Sequence, residues 1–398
     1  INPMKADRQI PPPDWMTDDR CVKVMRALGG YEPVPQSLFV GGCIRNFLLG
    51  RAVCDIDIAT IHKPIEVMEC LKANDIRYIP TGLDHGTVTA LVDGKPFEIT
   101  TLRQDVQTDG RHAVVVFSDD WKVDACRRDF TINTLLAAPD GRIFDPTGQG
   151  LGDIDKRSVK FVGDASSRIA EDYLRILRFF RFYAQYGTGQ PDSDAIAACS
   201  AQSGHLEKIS RERVTQELFK ILSVNNPAHV ISLMLDCGIF PALKEKFNGN
   251  WLETLCAMQV RHEAADAIAR LFVLAGGDTS ALGHGLILSN AQKKNLQSLD
   301  AALSILRPVN RKKIREAIYR HGNSIAVQAY FLALSKKNDA PDLESIDLAR
   351  YWQAPAFPVR AEELIKSGIA PGPLLGQRLK TLEDSWVAKD FPEGFSAQ

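Results

Sequence analysis

Two aspartates two residues apart are the first group in this sequence able to do chemistry. Asp55 and Asp57 stand in Cys54-Asp55-Ile56-Asp57-Ile58, where acids alternate with apolar residues as on a half-buried strand. On a strand, residues i and i+2 face the same side. The two carboxylates therefore project together, which suits a hard cation such as Mg²⁺ and is costly without one. A solvated edge strand would carry the same spacing. Just upstream, Leu38-Phe39-Val40 runs into Gly41-Gly42-Cys43-Ile44-Arg45. Glycines at a strand-to-helix turn let backbone N–H groups approach a phosphate, and the start of a helix favours the anion. Arg45 adds a charged donor. Glycine turn, arginine, short helix and acidic pair fit one picture: metal and triphosphate held on adjacent strand ends.

Two later strings can act on a nucleotide. In Cys126-Arg127-Arg128-Asp129-Phe130-Thr131-Ile132-Asn133-Thr134-Leu135, arginines read as the start of a helix can clamp phosphate. Asp129 and Asn133, one helical turn apart, can reach a sugar hydroxyl. In Glu171-Asp172-Tyr173-Leu174-Arg175-Ile176-Leu177-Arg178-Phe179-Phe180-Arg181-Phe182, the residues Tyr173, Leu174, Leu177 and Phe180 form an apolar helical surface. Asp172, Arg175 and Arg178 recur every three residues beside it. Taken alone, a capped helix with a basic entry and a helix with an Asp–Arg pair explain both strings.

Taken together, the strings resemble a known family. Gly41 to Thr60, reading GGCIRNFLLGRAVCDIDIAT, is similar to the signature of the class II branch of the polymerase-β-like nucleotidyltransferases. That branch holds tRNA CCA-adding enzymes and bacterial poly(A) polymerases. Its usual pattern is GGxVRDxLLG, and this chain has Asn46 where Asp is usual, so a local contact loses a charge. The string around Arg128 resembles RRDFTINAL, with Thr134 for Ala, and Glu171 to Phe182 resembles EDxLRxLRxxRF. The resemblance implies that Asp55 and Asp57 hold two Mg²⁺ and that Glu98 is a third carboxylate. It implies that Gly42, Arg45 and Arg128 meet the triphosphate, and that Asp129 and Asn133 select ribose. Asp172 and Arg175 would read the base edges of CTP and ATP, oriented by Glu171, with Arg178 in the same nucleotide-binding set. Asp109-Gly110-Arg111-His112-Ala113 resembles the loop of enzymes that add the terminal A. Asp145 to Ile154 departs from the usual DPxGGxxDL by extra spacing. Ser210 to Leu218 matches a helix with a structural role, Ser210 capping it and Arg213 pairing with Glu217. The tail from Gly368 to Trp386 looks most like the alphaproteobacterial CCA-adding form. The expected activity is template-independent addition of CCA to tRNA 3′ ends. A bacterial poly(A) polymerase, a CC-only or A-only adder and a non-catalytic RNA-binding relative stay open.

These residues need a scaffold to position them. Between residues 38 and 140 short apolar runs alternate with turns. Thr87 to Val92 and Phe97 to Thr101 flank Asp93-Gly94, a strong hairpin signal. Val114 to Phe117 reads as a further strand or an ordered loop. Helical spacing falls at 43–49, 64–74 and 129–137. Beyond about residue 150 the strand signals fade. Amphipathic helices are expected at 166–187, 192–203, 210–223, 226–237, 250–276, 290–305, 310–321, 323–336, 343–353, 360–367 and 373–389. The fold class is α+β: a polymerase-β-like head with a small mixed, largely antiparallel sheet, then an all-α body. The expected division is an N-terminal extension and lead-in helix (1–30), the head (31–150), a neck with nucleobase-recognition helices (151–225) and a helical body and tail that bind tRNA (226–398).

Composition sets the outer bounds. At 398 residues the chain is too long for one ordinary domain. With 48 Lys and Arg against 49 Asp and Glu, it is not a basic nucleic-acid coat, so a polyanion site must come from local clustering. Such a cluster lies at Lys293, Lys294, Arg307, Arg311, Lys312, Lys313, Arg315 and Arg320, against only Asp300 and Glu316. We read Lys293, Lys294, Arg311, Lys312, Lys313 and Arg315 as backbone contacts to tRNA, since folded RNA is recognised largely through shape and phosphate. No membrane helix, secretory core or zinc spacing is present in the sequence. Ile1 is not an initiator residue, which fits a trimmed N-terminus. Eight scattered cysteines read as reduced packing residues of a cytoplasmic protein. No obligate protein partner is expected, and the lack of a His-Asp metal dyad argues against an appended phosphohydrolase domain.

Overall fold

The computed structural model describes residues 4–108 and 113–396. Four residues of the loop read at Asp109 to Ala113 therefore lie outside the described residues. The chain divides into two compact units, 1–217 with 237–239, and 218–236 with 240–398.

The first unit is built on a mixed sheet. Its strands are β1 (Arg8–Gln9), β2 (Ser37–Val40), β3 (Asp57–Thr60), β4 (Arg77–Gly82), β5 (Thr87–Val92), β6 (Lys95–Thr101), β7 (Arg103–Thr108), β8 (Ala113–Phe117), β9 (Leu136–Ala137) and β10 (Arg142–Phe144). Eight of them form one sheet in the order β1-β10-β9-β2-β3-β6-β5-β4, and β7 pairs with β8 apart from it. Among the described residues only the β3–β6 pair is parallel; the other pairings are antiparallel. The β5–β6 hairpin turns on Asp93 and Gly94 with φ of 49° and 77°. Positive φ at both positions matches the twist of the strands and explains the Asp-Gly signal. Under the sheet, Leu38, Val40, Ala59, Leu102, Trp121, Leu136, Ala138 and Phe144 form a buried cluster. This core fixes the strand ends that carry the acids.

Three expectations change. Residues 129–137 do not form a helix: a single 3₁₀ turn at Thr131–Asn133 precedes β9. Thr134 donates its hydroxyl to the Thr131 carbonyl, and Thr131 donates its own to Asp153 at 2.7 Å, so side chains compete with helix formation. The 166–187 helix is broken into Ala165–Glu171 and Leu174–Tyr186. Asp172 between them is extended (φ −154°, ψ 106°), and its carboxylate accepts from the Leu174 N–H. The 250–276 helix is likewise split into Gly249–Arg261 and Ala267–Leu274, where Asp266 caps the Ala269 N–H at 2.7 Å. In both breaks a short acid does what it does at helix starts.

The second unit is helical. Helix Asn323–Ser335 is buried from Ala326 onward and packs against helices Gly249–Arg261, Asn290–Ile305, Arg311–His321 and Leu343–Tyr351. A helix buried on all sides is apolar all round rather than striped. Arg270 is fully buried, and its guanidinium donates to the carbonyls of Leu222 and Val224 and to Gln259 Oε1. It satisfies carbonyls at the end of helix Arg211–Leu222. No helix of the described residues is long and apolar enough to cross a membrane.

Candidate active site

The glycine turn lies between β2 and helix Gly42–Leu48. Gly41 has φ 70° and ψ −119°, a backbone that side chains rarely adopt. A Cβ there would sit 3.4 Å from Arg128 Nη1, and one on Gly42 would sit 3.6 Å from Arg45 Nη2. Glycine therefore leaves open the space over which two guanidiniums stand. Beside the turn, Asp57 opens β3 and is the register partner of Glu98 on β6. Asp55 precedes the strand and is exposed, so the acidic pair straddles a strand start instead of sharing a strand. The Asp57 carboxyl is pushed up to about 6, first by burial and then by Glu98, with Arg128 working against the shift and Asp55 and Arg45 acting more weakly in opposite directions. A half-buried carboxyl raised by acidic neighbours suits a divalent cation. Among the described residues no three His, Cys, Asp or Glu side chains come together as a ligand set. Asp55 and Glu98 act on Asp57 through their charge, both raising its carboxyl.

Behind the turn runs a buried hydrogen-bonded chain. Arg178 donates to Asp129 Oδ2 through both Nε (2.8 Å) and Nη2. Asp129 Oδ1 accepts from Asn133 Nδ2 at 2.9 Å, and Asn133 Oδ1 accepts from Arg45 Nη1. Burial alone would raise the Asp129 carboxyl, but Arg178 and the Asn133 amide hold it below the usual range. The string around Arg128 is thereby joined to the helix carrying Arg178. Arg127 and Arg128 do not start a helix, as the sequence suggested; they follow the end of helix Trp121–Cys126. Asp124 on its last turn binds both, at 2.8 and 2.9 Å.

The expected base-reading pair is not bonded to itself. Asp172 accepts from Arg213 Nη2 at 2.7 Å, and Arg175 bonds Glu171 and the Arg168 carbonyl. Glu171 also takes Arg168 at 3.0 Å. Glu217 binds Arg181 at 2.6 Å and Arg213 donates to Asp172, so both residues reach beyond their own helix. The turn at Asp145 absorbs its extra spacing: its carboxylate accepts from the N–H groups of Gly148 (3.1 Å) and Leu151 (2.9 Å). Reading the sequence missed Asp124 and Tyr186. Asp124 sits three and four residues before its arginines. Tyr186 lies on the Arg178–Phe182 face, eight residues past Arg178.

The expected RNA-binding residues lie on the second unit. Lys293 and Lys294 are exposed on helix Asn290–Ile305. On helix Arg311–His321, Arg311 binds Glu344, Lys313 binds Glu316 at 2.7 Å, Arg315 binds Asp390 and Arg320 binds Asp384. Lys312 is exposed on the same helix. Lys293, Lys294 and Lys312 make no ion pair among the described residues.

Comparison with known proteins gives this geometry a family. Residues 37–160 match the model of the poly A polymerase head domain, and residues 190–248 match a probable RNA and SrmB-binding site of polymerase A. The chain is 36% identical over 373 residues to the mitochondrial CCA tRNA nucleotidyltransferase 1 of Mus musculus, covering 88% of this chain and 82% of that one. It is 33% identical to the CCA-adding enzyme of Limosilactobacillus fermentum, covering 87% of each. The crystal structure of the Bacillus stearothermophilus CCA-adding enzyme in complex with CTP superposes with a TM-score of 0.77 at 24% identity over 93% of both chains, a likeness of fold. The chain belongs to the CCA-adding family of tRNA nucleotidyltransferases.

Proposed function

We propose that this chain adds C, C and A to the 3′ end of tRNA, taking CTP and ATP without a nucleic-acid template. In each step the primer 3′-hydroxyl attacks the nucleotide α-phosphate, a new P–O bond forms, and pyrophosphate leaves. The observation that carries the reading is the glycine turn that the Arg45 and Arg128 guanidiniums overlook, at the end of a strand paired with the one that Asp57 opens. Mg²⁺ would be held by Asp55 and Asp57, where two ions supply a lower hydroxyl pKa and charge stabilisation of the leaving group. Glu98 adds negative charge beside them.

Arg45 and Arg128 neutralise the triphosphate, with Gly42 leaving its backbone N–H accessible. Asp129 and Asn133 are held in one orientation by Arg178 and Arg45, so they present fixed polar groups to the ribose. Asp172 and Arg175 offer an acceptor and a planar donor fork to the base edge. Each is already bonded, Asp172 to Arg213 and Arg175 to Glu171. Base reading on this scheme is an exchange of partners, with the protein bonds keeping both groups ordered beforehand. We place the head at 31–150, the neck at 151–225 and the tRNA grip on 226–398, in a cytoplasmic enzyme.

The test is one assay. Purified protein, tRNA lacking its 3′ end and labelled CTP and ATP are combined, with the nucleotides given singly and together. Ordered incorporation of C, C and A supports the reading. Long A tracts without use of CTP identify a poly(A) polymerase, a stop after C identifies a CC-only adder, and A alone identifies an A-only one. Absence of incorporation by a folded protein removes the catalytic reading.

A further inference from the structure

Arg45 is 8% exposed, and its hydrogen-bond partners are all neutral. Nη1 donates to Asn133 Oδ1, Nε and Nη2 donate to Asn46 Oδ1 at 3.2 and 2.9 Å, and Nη2 donates to the Tyr186 hydroxyl at 2.9 Å. The guanidinium carbon lies 4.4 Å from the Tyr186 ring centroid and 5.1 Å from that of Phe182. The nearby carboxylate of Asp129 is bonded to Arg178 and Asn133, not to Arg45. Burial lowers the Arg45 pKa, and Tyr186 works against that shift. Asp129 offsets part of the charge at longer range, but a buried cation whose own hydrogen bonds go to amide oxygens and a phenol has no ion pair among the described residues. Such a group gains most from an incoming anion.

Asn46 and Tyr186 complete this arrangement. The Asn46 side chain is an acceptor that fixes the fork of Arg45 while adding no negative charge. Tyr186 is the last residue of helix Leu174–Tyr186, which also carries Arg175 and Arg178. Its hydroxyl lies 3.3 Å from Asn46 Oδ1, closing a three-membered cluster with Arg45. Arg51 stands 4.7 Å from the same ring centroid and bonds the Gln185 carbonyl, anchoring the helix end beside the glycine turn.

We propose that Asn46 and Tyr186 are positioning residues that hold Arg45 through neutral acceptors, so that its full charge is left for the triphosphate. Asn46, where the resembled pattern has Asp, then gives this chain a stronger anion site than an aspartate would. The inference rests on the reading of Arg45 as a triphosphate contact, and the experiment separates the two.

Binding of inorganic tripolyphosphate is measured by calorimetry with metal chelated, alongside KM and kcat for CTP and ATP and the thermal midpoint. Asn46→Asp places a carboxylate on Arg45, so tripolyphosphate affinity falls about 5- to 10-fold, the scale of one charge-assisted contact. KM for both nucleotides rises together, kcat changes less, and the midpoint does not fall. Tyr186→Phe loses only the hydroxyl and weakens binding about 2- to 5-fold; Tyr186→Leu loses the ring as well and weakens it further. Unchanged tripolyphosphate affinity in Asn46→Asp overturns the proposal, as does a loss seen only with a lowered midpoint. Arg45→Gln is the reference: if it binds tripolyphosphate as the wild type does, the triphosphate reading fails and the proposal falls with it.

Discussion

In the head, Arg45 is held by amide and phenol oxygens, and Asp57 is pushed up by burial and by its acidic neighbours. In the helical body, Arg311, Arg315 and Arg320 each meet a carboxylate. Both regions carry several charges in a short stretch of chain, but these body arginines have carboxylate partners, whereas Arg45 of the head has none among the described residues. A charge that the fold has neutralised contributes to packing; one left uncompensated at a cost is available to a ligand. Within the head the same contrast separates Asp57 from Asp129, whose carboxyl Arg178 and Asn133 stabilise.

The largest effect should come from Asp57. Asp57→Asn removes a carboxylate that the chemistry needs, and incorporation should fall by about 10³-fold or more. The same variant has an opposite effect on folding. The folded-state carboxyl at about 6 lies above the ordinary carboxylate range. The folded chain therefore binds this proton more tightly than the unfolded one, and its cost to stability appears as pH rises through about 4 to 6. With metal chelated, Asp57→Asn should be more stable than wild type by about 1 kcal/mol at pH 7.5 and no more stable at pH 4. Thermal denaturation at the two pH values checks it; a gain that does not depend on pH would contradict the assignment.

Asp129 should behave in the reverse sense. Its carboxyl is held below the ordinary range, so its contribution is present above about pH 4 and lost as pH falls through the folded value. Asp129→Ala leaves the half-buried Arg178 without its carboxylate and should cost about 2–3 kcal/mol at neutral pH. Urea denaturation reads that loss, and the deficit should shrink in acid. A variant as stable as wild type at pH 7 would show that the Arg178–Asp129 bond is not what orders the site.

The contrast also shows what the sequence could and could not reveal. Gly41-Gly42, Arg45, Asp57 and Arg128 were legible because their chemistry is written in adjacent residues, and the hairpin at Asp93-Gly94 because two positive φ angles demand those residues. Most helices of the body were legible from period. The breaks at Asp172 and Asp266 were not, since the apolar period runs through them and only a capping carboxylate interrupts it. The partners of the basic helix were hidden for a different reason. Glu344, Asp384 and Asp390 lie 33, 64 and 75 residues from the arginines they meet. Local counting found only Asp300 and Glu316, so the stretch looked far more basic than the folded surface is.

That difference predicts a small but ordered effect on RNA binding. Lys293, Lys294 and Lys312 are exposed without an ion pair among the described residues, whereas Arg311 and Arg315 are paired. A lysine that neutralises one phosphate contributes about 0.7–0.9 to the slope of log affinity against log salt, whereas an arginine already bound to a carboxylate releases fewer counterions. Lys312→Ala, Lys293→Ala and Lys294→Ala should each weaken tRNA binding by about 2- to 5-fold at low salt and reduce that slope. Arg311→Ala should change affinity by less than about 2-fold, and its exposed pair with Glu344 should contribute under about 1 kcal/mol to stability. Filter binding across a salt series measures affinity and slope, and urea denaturation measures the contribution of the pair to stability. If the arginine variants lose as much affinity and slope as the lysine variants, the acids of the body yield to RNA, and its charges are as available to a ligand as those of the head.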